Sequence, residues 1–587
     1  NQVCEDTHVD ERIRVSSVLK RKYMPKEQND YNILKNELCQ QVSEKIPTFN
    51  LKSFAHFDRP FSFGRYITKD KSSTKTKYVI TPASQKKIKH QIDSLHSFLN
   101  SPEKIAKHAF YPFIAFDIKE RRSNLINKIK YYERKQLELS GIEKDKCIEA
   151  LDNLKKKGII KKRPIRYASH IDGYIYAHYA SLLSEKYEKR IQELDLGDVI
   201  LAYRKLPPVK INDKEISPNN CTMARDVFEE IKKRGNNCYA LAFDIHSFYD
   251  YIDHKNLYAE WAKVLEVDKL PDDHLNIYKS LTKYCYIDLK EVCYYVNKDK
   301  KKPCLQVNCV KCNKKIYKKI PKILFKNAEN FRSFKDWYKK FYKDTEHKKF
   351  HRNEGFYAPK PYGIPQGSAM SALLSNIYMI PFDSAMKRLA EDVGGLYRRY
   401  CNDIMFICPH DEIIKEKIIT KIKKYINERG ENLKIHPIEE WDNYSKSQCY
   451  DFTNTTKIKQ HPLQYLGFYF DGEKVRIRES SLARYLRKSK RAVTAMKLNA
   501  KQKLKNMYKQ KIQIQEKQKK LYRHHLYEQY THLGKRNFIS YAYRTFDIVF
   551  NTSLIKQQIN NHFKRLNDYI KKADEELASL CNSLNKS

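Results

Sequence analysis

The chain has 587 residues, with 114 Lys+Arg against 70 Asp+Glu and a net charge of +44. Such an excess favours a polyanionic partner, because like charges repel in a compact state unless something neutralises them. Hydrophobic residues make up 41% and Phe numbers 27, which excludes a disordered composition. No apolar run reaches the length of a membrane-spanning helix, so no membrane partner is expected. Fourteen Cys over this length fit reduced thiols in a cytosol, hence a cytoplasmic protein, and not a disulfide scaffold. The polar start NQVCEDTHVDERIR predicts no secretory leader.

In chain order, residues 1–48 are a mixed, polar N-terminal extension. Residues 49–235 alternate basic stretches with Tyr and Phe, as in HAFYPFIAFDIKERR at 108–122. From 236 to 284 the pattern predicts a strand, CYALAF, and then a helix, DIHSFYDYIDHKNLYAEWAKVL. Residues 285–355 read as an insertion rich in Cys and Lys. Short apolar strands and helices return from 356 to about 470. The segment 480–587 reads almost entirely as helix, with no Pro after Pro462 and a Lys-dense run at 501–521.

Three places carry the chemistry. Tyr239–Phe243 is a short apolar run, predicted to be a buried strand that ends at Asp244, with Asp250 and Asp253 following. Two β-prone runs flank Asn402-Asp403, which predicts a hairpin with these two residues at its tip, since Asn and Asp tolerate positive φ. Between them lies Gly363-Ile364-Pro365-Gln366-Gly367-Ser368, followed by the mostly apolar 369–380. Glycine is scarce here, 15 residues against a usual ~7%. Two glycines around Ile-Pro-Gln therefore suggest close backbone approach to a ligand, with Ser368 capping the helix that follows.

In this order, the three resemble the palm of reverse transcriptases, with motifs A, B and C at 243–254, 363–376 and 400–403. Leu463-Gln464-Tyr465-Leu466-Gly467-Phe468 is similar to the primer grip, and Ala202-Tyr203-Arg204-Lys205 to the fingers segment that holds triphosphate. The stretches 108–122 and 161–182, with Tyr530–Phe538, are most similar to bacterial phage-defence and abortive-infection reverse transcriptases. The resemblance implies an α+β right-hand polymerase: fingers at 49–235, palm at 236–479 with the insertion 285–355 and primer grip 463–472, and a helical thumb at 480–587. It implies RNA-directed DNA synthesis from dNTPs with two Mg²⁺, and RNA and/or DNA as partners. A noncoding RNA, a second defence protein and a homo-oligomer stay open as further partners, and the resemblance leaves untemplated or protein-primed synthesis open as well.

The resemblance assigns residues as well. Asp244, Asn402 and Asp403 are catalytic, with Asp244, Asp403 and the Ile245 carbonyl on Mg²⁺. Arg204 and Lys205 face triphosphate, Tyr249 is an aromatic gate against a 2′-OH, and Gln366 and Gly367 line the nucleotide and template. Tyr465, Leu466, Gly467, Lys535 and Arg536 contact primer or nucleic acid. One departure stands out: the family hairpin reads Tyr-x-Asp-Asp, and here it reads Tyr400-Cys401-Asn402-Asp403. A neutral amide replaces a carboxylate, either naturally or by an exchange of Asp for Asn. Losing that ligand should lower the rate by orders of magnitude.

Cys285, Cys293, Cys304, Cys309 and Cys312 crowd the insertion and end as Cys-x4-Cys-x2-Cys. Structural Zn²⁺ on Cys293, Cys304, Cys309 and Cys312, or free thiols in a loop, are both open readings. Two other functions stay open: a catalytically weak nucleic-acid-binding scaffold, and a group II intron-like maturase.

Overall fold

The computed structural model describes residues 81–288 and 360–586, with short breaks at 122–124, 158, 212, 440 and 511, together with 68–69, 78–79 and 351–352. The expected N-terminal extension and most of the Cys-rich insertion lie outside the described residues. Among those described, no helix is long and apolar enough to cross a membrane.

Helix α1 (Pro82–Leu99) begins where the Thr81 hydroxyl accepts from the Ser84 N–H. It buries Ile88, Ile92, Leu95 and Leu99, one stripe at helical spacing. Strand β1 (Phe113–Arg121) leads through a helical hairpin, α2 (Leu125–Glu138) and α3 (Gly141–Lys157), to β2 (Ile160–Tyr167), its antiparallel partner. The long α4 (His170–Glu193) follows, then α5 (Asn220–Lys233), β3 (Cys238–Asp244), α6 (His254–Leu265), α7 (Asp272–Thr282) and β4 (Cys285–Asp288). Strand β4 lies parallel to β1. The chain resumes with α8 (Ala369–Tyr378), α9 (Ile380–Asp392), the hairpin β5 (Leu396–Tyr400) and β6 (Asp403–Pro409), α10 (Glu412–Arg429) and β7 (Gln448–Asp451). Three short strands, β8 (Leu463–Tyr465), β9 (Phe468–Phe470) and β10 (Val475–Ile477), form their own antiparallel sheet. Helix α11 (Glu479–Lys509), shorter helices and α12 (His562–Lys586) close the chain.

The central sheet has the order β5–β6–β3–β7 and is antiparallel throughout. Its two inner strands are buried on both faces, which is why they read as continuous apolar runs. Tyr239, Leu241, Phe243, Ile404, Phe406 and Cys408 pack into the larger core with α4, α6, α8 and α9. Cys238, Ala240, Met405 and Ile407 face a second core shared with α5, β8–β10 and Ile539, Ala542, Ile555 and Ile559. A third core joins α11 to α12 through Val493, Leu504, Leu566, Ile570 and Leu577.

Three expectations need correction. The helix after β3 begins only at His254, because Ser247 takes φ +45° and Phe248–Asp250 form a short 3-10 turn. Asp253 is its N-cap and accepts from the Asn256 N–H. The hairpin tip is Cys401-Asn402, since Tyr400 pairs with Asp403, and the positive φ (+58°) falls on Cys401. In the C-terminal segment α11 stops at Lys509, so the second half of the Lys-dense run lies outside any α-helix.

Candidate active site

The register of the central sheet sets Asp244 directly opposite Asp403, at the shared end of β3 and β6. Like charges facing each other across a sheet repel, so the pair requires a compensating cation. Desolvation in the cleft, and then the Asp244 carboxylate, push Asp403 up to about 6, although the residue stays open on one side.

Asp244 is already compensated. The Lys446 ammonium lies 2.5 Å from its Oδ2, and Asn402 Nδ2 donates to its Oδ1 at 2.6 Å. His436 Nε2 sits 3.1 Å from Lys446 Nζ and 3.4 Å from Asp244 Oδ2. Lys446 and His436 arrive on the segment 434–447, which wraps the end of β3: His246 N–H donates to the Lys434 carbonyl, His436 N–H to that of Asp244, and Asp244 N–H to the buried Ser447 hydroxyl. The hairpin α2–α3 holds this segment from outside. Tyr132 donates to Asp442 at 2.9 Å, Tyr131 to the Trp441 carbonyl, Lys128 to the Tyr444 carbonyl at 3.3 Å, and Lys146 pairs with Glu439 at 2.9 Å.

Asp244 therefore faces a basic side chain, where the sequence led us to expect a metal ion alone. The donor set still fits a hard divalent cation: two carboxylates converge, and an ammonium stands where positive charge is needed. Ile245 is buried beneath them, its N–H donating to the Asn402 carbonyl. Among the described residues, no group of three or more His, Cys, Asp or Glu is arranged to hold a metal. Cys293, Cys304, Cys309 and Cys312 lie outside the described residues.

The loop before α8 meets the same cleft. Ser368 caps α8 by accepting from Met370 N–H at 3.3 Å. Ile364 N–H donates to the Tyr249 carbonyl, and Arg166 N–H on β2 donates to the Gln366 carbonyl. Gly367 has φ +113°, and a Cβ there would lie 2.8 Å from the Arg166 carbonyl oxygen, so glycine alone permits this approach. The Arg166 guanidinium stacks on the Tyr286 ring at 3.9 Å. Tyr249 is half-buried in the 3-10 turn, with its hydroxyl 3.5 Å from Cys401 Sγ.

Arg204 points inward. Its guanidinium donates to Glu188 and to the carbonyls of Gly197 and Ile200, and its side chain is only 5% exposed. Lys205 faces solvent, and its neighbour Tyr203 is half exposed. Tyr465 is buried in the second core, its hydroxyl without a hydrogen-bond partner. Leu466 (φ +43°) and Gly467 (φ +98°) make the turn between β8 and β9. Lys535 and Arg536 are exposed on a loop built around Asn537, whose amide donates to the carbonyls of Glu528, Thr531 and Gly534.

Residues 292–470 match the family described as reverse transcriptase (RNA-dependent DNA polymerase). The match takes in α8, the β5–β6 hairpin and β8–β9, and leaves out β3, which the sheet register brings to Asp403. No curated protein matches the chain. Among solved structures, a C-terminally truncated apo telomerase from Candida tropicalis shares 11% identity at a TM-score of 0.30, and the match covers 54% of this chain and 53% of that one. The present chain thus spans about half the length of that protein. Apo telomerase from Candida tropicalis shares 12% identity at 0.32, over 93% and 80%. Telomerase from Candida albicans in complex with a fragment of telomeric RNA shares 11% at 0.31, over 89% and 73%. At these scores the likeness carries no argument about fold or activity.

Proposed function

We propose that the chain is a reverse-transcriptase-type DNA polymerase that adds dNTPs to a nucleic-acid end, acting in antiphage defence. The observation that carries this reading is the Asp244–Asp403 pair, opposed across β3 and β6, with the Gly363–Ser368 loop bonded to the turn that follows β3. The family match over 292–470 supports it. Magnesium, held by Asp244, Asp403 and the Ile245 carbonyl, would supply charge stabilisation at the attacking and leaving oxygens. The chain's own residues do the rest. Gly367 and the Gln366 carbonyl fix the floor of the cleft against β2. Tyr249 packs against the sugar and crowds a 2′-OH. Lys205 offers an exposed cation for triphosphate, and Lys535 and Arg536 neutralise phosphates of the growing strand. Arg204 reaches triphosphate only if it leaves Glu188.

A second reading draws on a specific observation. Asn402 and Lys446 both satisfy Asp244, which favours a weakly catalytic nucleic-acid-binding scaffold. The chain purified with its bound nucleic acid separates the two when given Mg²⁺ and each dNTP alone and together. Product complementary to co-purified RNA identifies templated synthesis. A homopolymer without RNA identifies untemplated synthesis, and label retained on protein identifies protein priming. Binding of nucleic acid without incorporation supports the scaffold.

A further inference from the structure

Tyr203 has a backbone that its side chain disfavours. Its φ is +60°, a left-handed conformation rare for a bulky residue. The structure around it leaves no alternative. On one side Ala202 is buried, and its carbonyl accepts from Asn376 Nδ2 of α8 at 2.8 Å. On the other, Arg204 is clamped by Glu188 and the carbonyls of Gly197 and Ile200. Upstream, Leu201 N–H donates to the Arg399 carbonyl, and Arg399 N–H to that of Val199. The whole turn is pinned to β5, α4 and α8, and its one exposed member is Tyr203, at 52% exposure.

The pinned turn leaves the Tyr203 ring half exposed, with its hydroxyl end beside Tyr249 and Cys401. Tyr249 and Cys401 are the electrostatic neighbours of the Tyr203 hydroxyl, and they lie 3.5 Å from each other. Cys401 is also left-handed, at φ +58°. Two strained positions from separate segments thus converge on the residue read above as the gate. Desolvation of its hydroxyl, followed by Cys401, pushes Tyr203 up to about 12, so it stays a neutral phenol at physiological pH. Strain retained by surrounding structure at a cleft is characteristic of functional positions.

We propose that Tyr203 is a specificity-determining residue of the nucleotide pocket: together with Cys401 it buttresses Tyr249 and sets how firmly the pocket refuses a ribose 2′-OH. This deepens the polymerase reading and rests on it. Arg204 supports the site by holding Tyr203 in place. The Tyr203 and Tyr249 hydroxyls act as a pair, and loss of either loosens the other.

The test measures binding of dATP and ATP to the full chain, by displacement of a fluorescent nucleotide, for the parent and for Tyr203→Phe, Tyr203→Gly, Tyr249→Phe and the double Phe variant. The proposal predicts that the parent prefers dATP. It predicts that Tyr203→Gly, which relieves the backbone, narrows that preference about tenfold, mainly by tighter ATP binding. Tyr203→Phe falls between, and the double Phe variant loses no more than the worse single one, as expected for coupled neighbours. Unchanged preference in folded Tyr203→Gly and Tyr203→Phe overturns the role of Tyr203 and leaves the polymerase reading intact. A parent that binds neither nucleotide overturns both. Fully additive Phe variants overturn the buttress.

Discussion

The Lys446 ammonium lies 2.5 Å from Oδ2 of Asp244, within a cleft that also holds Asp403 and His436. An internal cation therefore occupies one side of the carboxylate pair. Removing it by Lys446→Met leaves Asp244 to Asn402 and His436. Lys446 is 54% exposed, so the metal-free protein should lose only about 0.5–1 kcal/mol of stability. Mn²⁺ affinity, followed by electron paramagnetic resonance, should rise roughly tenfold, a 1.4 kcal/mol step. Unchanged Mn²⁺ affinity would show that Lys446 does not compete for this position.

Asp403 makes the same site sensitive to pH. Its carboxyl titrates near 6 in the folded chain, against an ordinary 3.8. Between these values the folded chain holds a proton that the unfolded chain has lost. The contribution of Asp403 to stability is therefore fully present below about 4 and falls away as pH rises through about 6. A divalent cation competes with that proton. Mn²⁺ affinity should climb between about pH 5 and pH 7 and then level off. Asp403→Asn should flatten this profile as well as lower it.

Much of this site was legible in the residues themselves. An apolar run ending in Asp244 announces a buried strand. The β-prone runs around Asn402-Asp403 announce the hairpin, and Ser368 does cap α8. Lys446 and His436 carried no such signal, because they reach β3 on an irregular segment whose course depends on the α2–α3 hairpin some 300 residues earlier in sequence. Arg204 sits in a recognisable motif, but only the fold shows that Glu188, one helix away, takes its guanidinium. Positive φ at Tyr203 and Cys401 is equally silent, since neither residue type favours it.

Stability hinges on a buried ion pair below the hairpin. Arg399 and Asp383 are both 0% exposed and are joined at 2.6 Å, with Tyr397 donating to the same carboxylate. Arg399→Met leaves Asp383 buried without its cation and should cost about 3–5 kcal/mol. Chemical denaturation will read this as a lower midpoint at constant slope. Asp383→Asn with Arg399→Met together should recover part of the loss, since no lone charge remains.

Gly367 is where β2 crosses the loop before α8. Gly367→Ala places a Cβ 2.8 Å from the Arg166 carbonyl oxygen at a φ of +113°. The substitution should cost about 1–3 kcal/mol and break the Arg166–Gln366 backbone bond. Gly235→Ala, also left-handed but with open space around it, serves as the comparison and should cost less. Hydrogen exchange at the Arg166 amide distinguishes local release of β2 from general destabilisation.

Asn402 is the decisive residue, because it donates to Asp244 where a carboxylate would repel it. Asn402→Asp brings a third acid to the pair and should make thermal stability depend on divalent cation. The most direct test is extension of a labelled primer on an RNA template and on co-purified nucleic acid, with dNTPs and Mg²⁺, for the parent and Asn402→Asp. A polymerase predicts incorporation by Asn402→Asp at least an order of magnitude faster than by the parent, abolished by Asp244→Ala. No incorporation by Asn402→Asp on any template, with nucleic-acid binding intact, would contradict it and leave the scaffold reading standing.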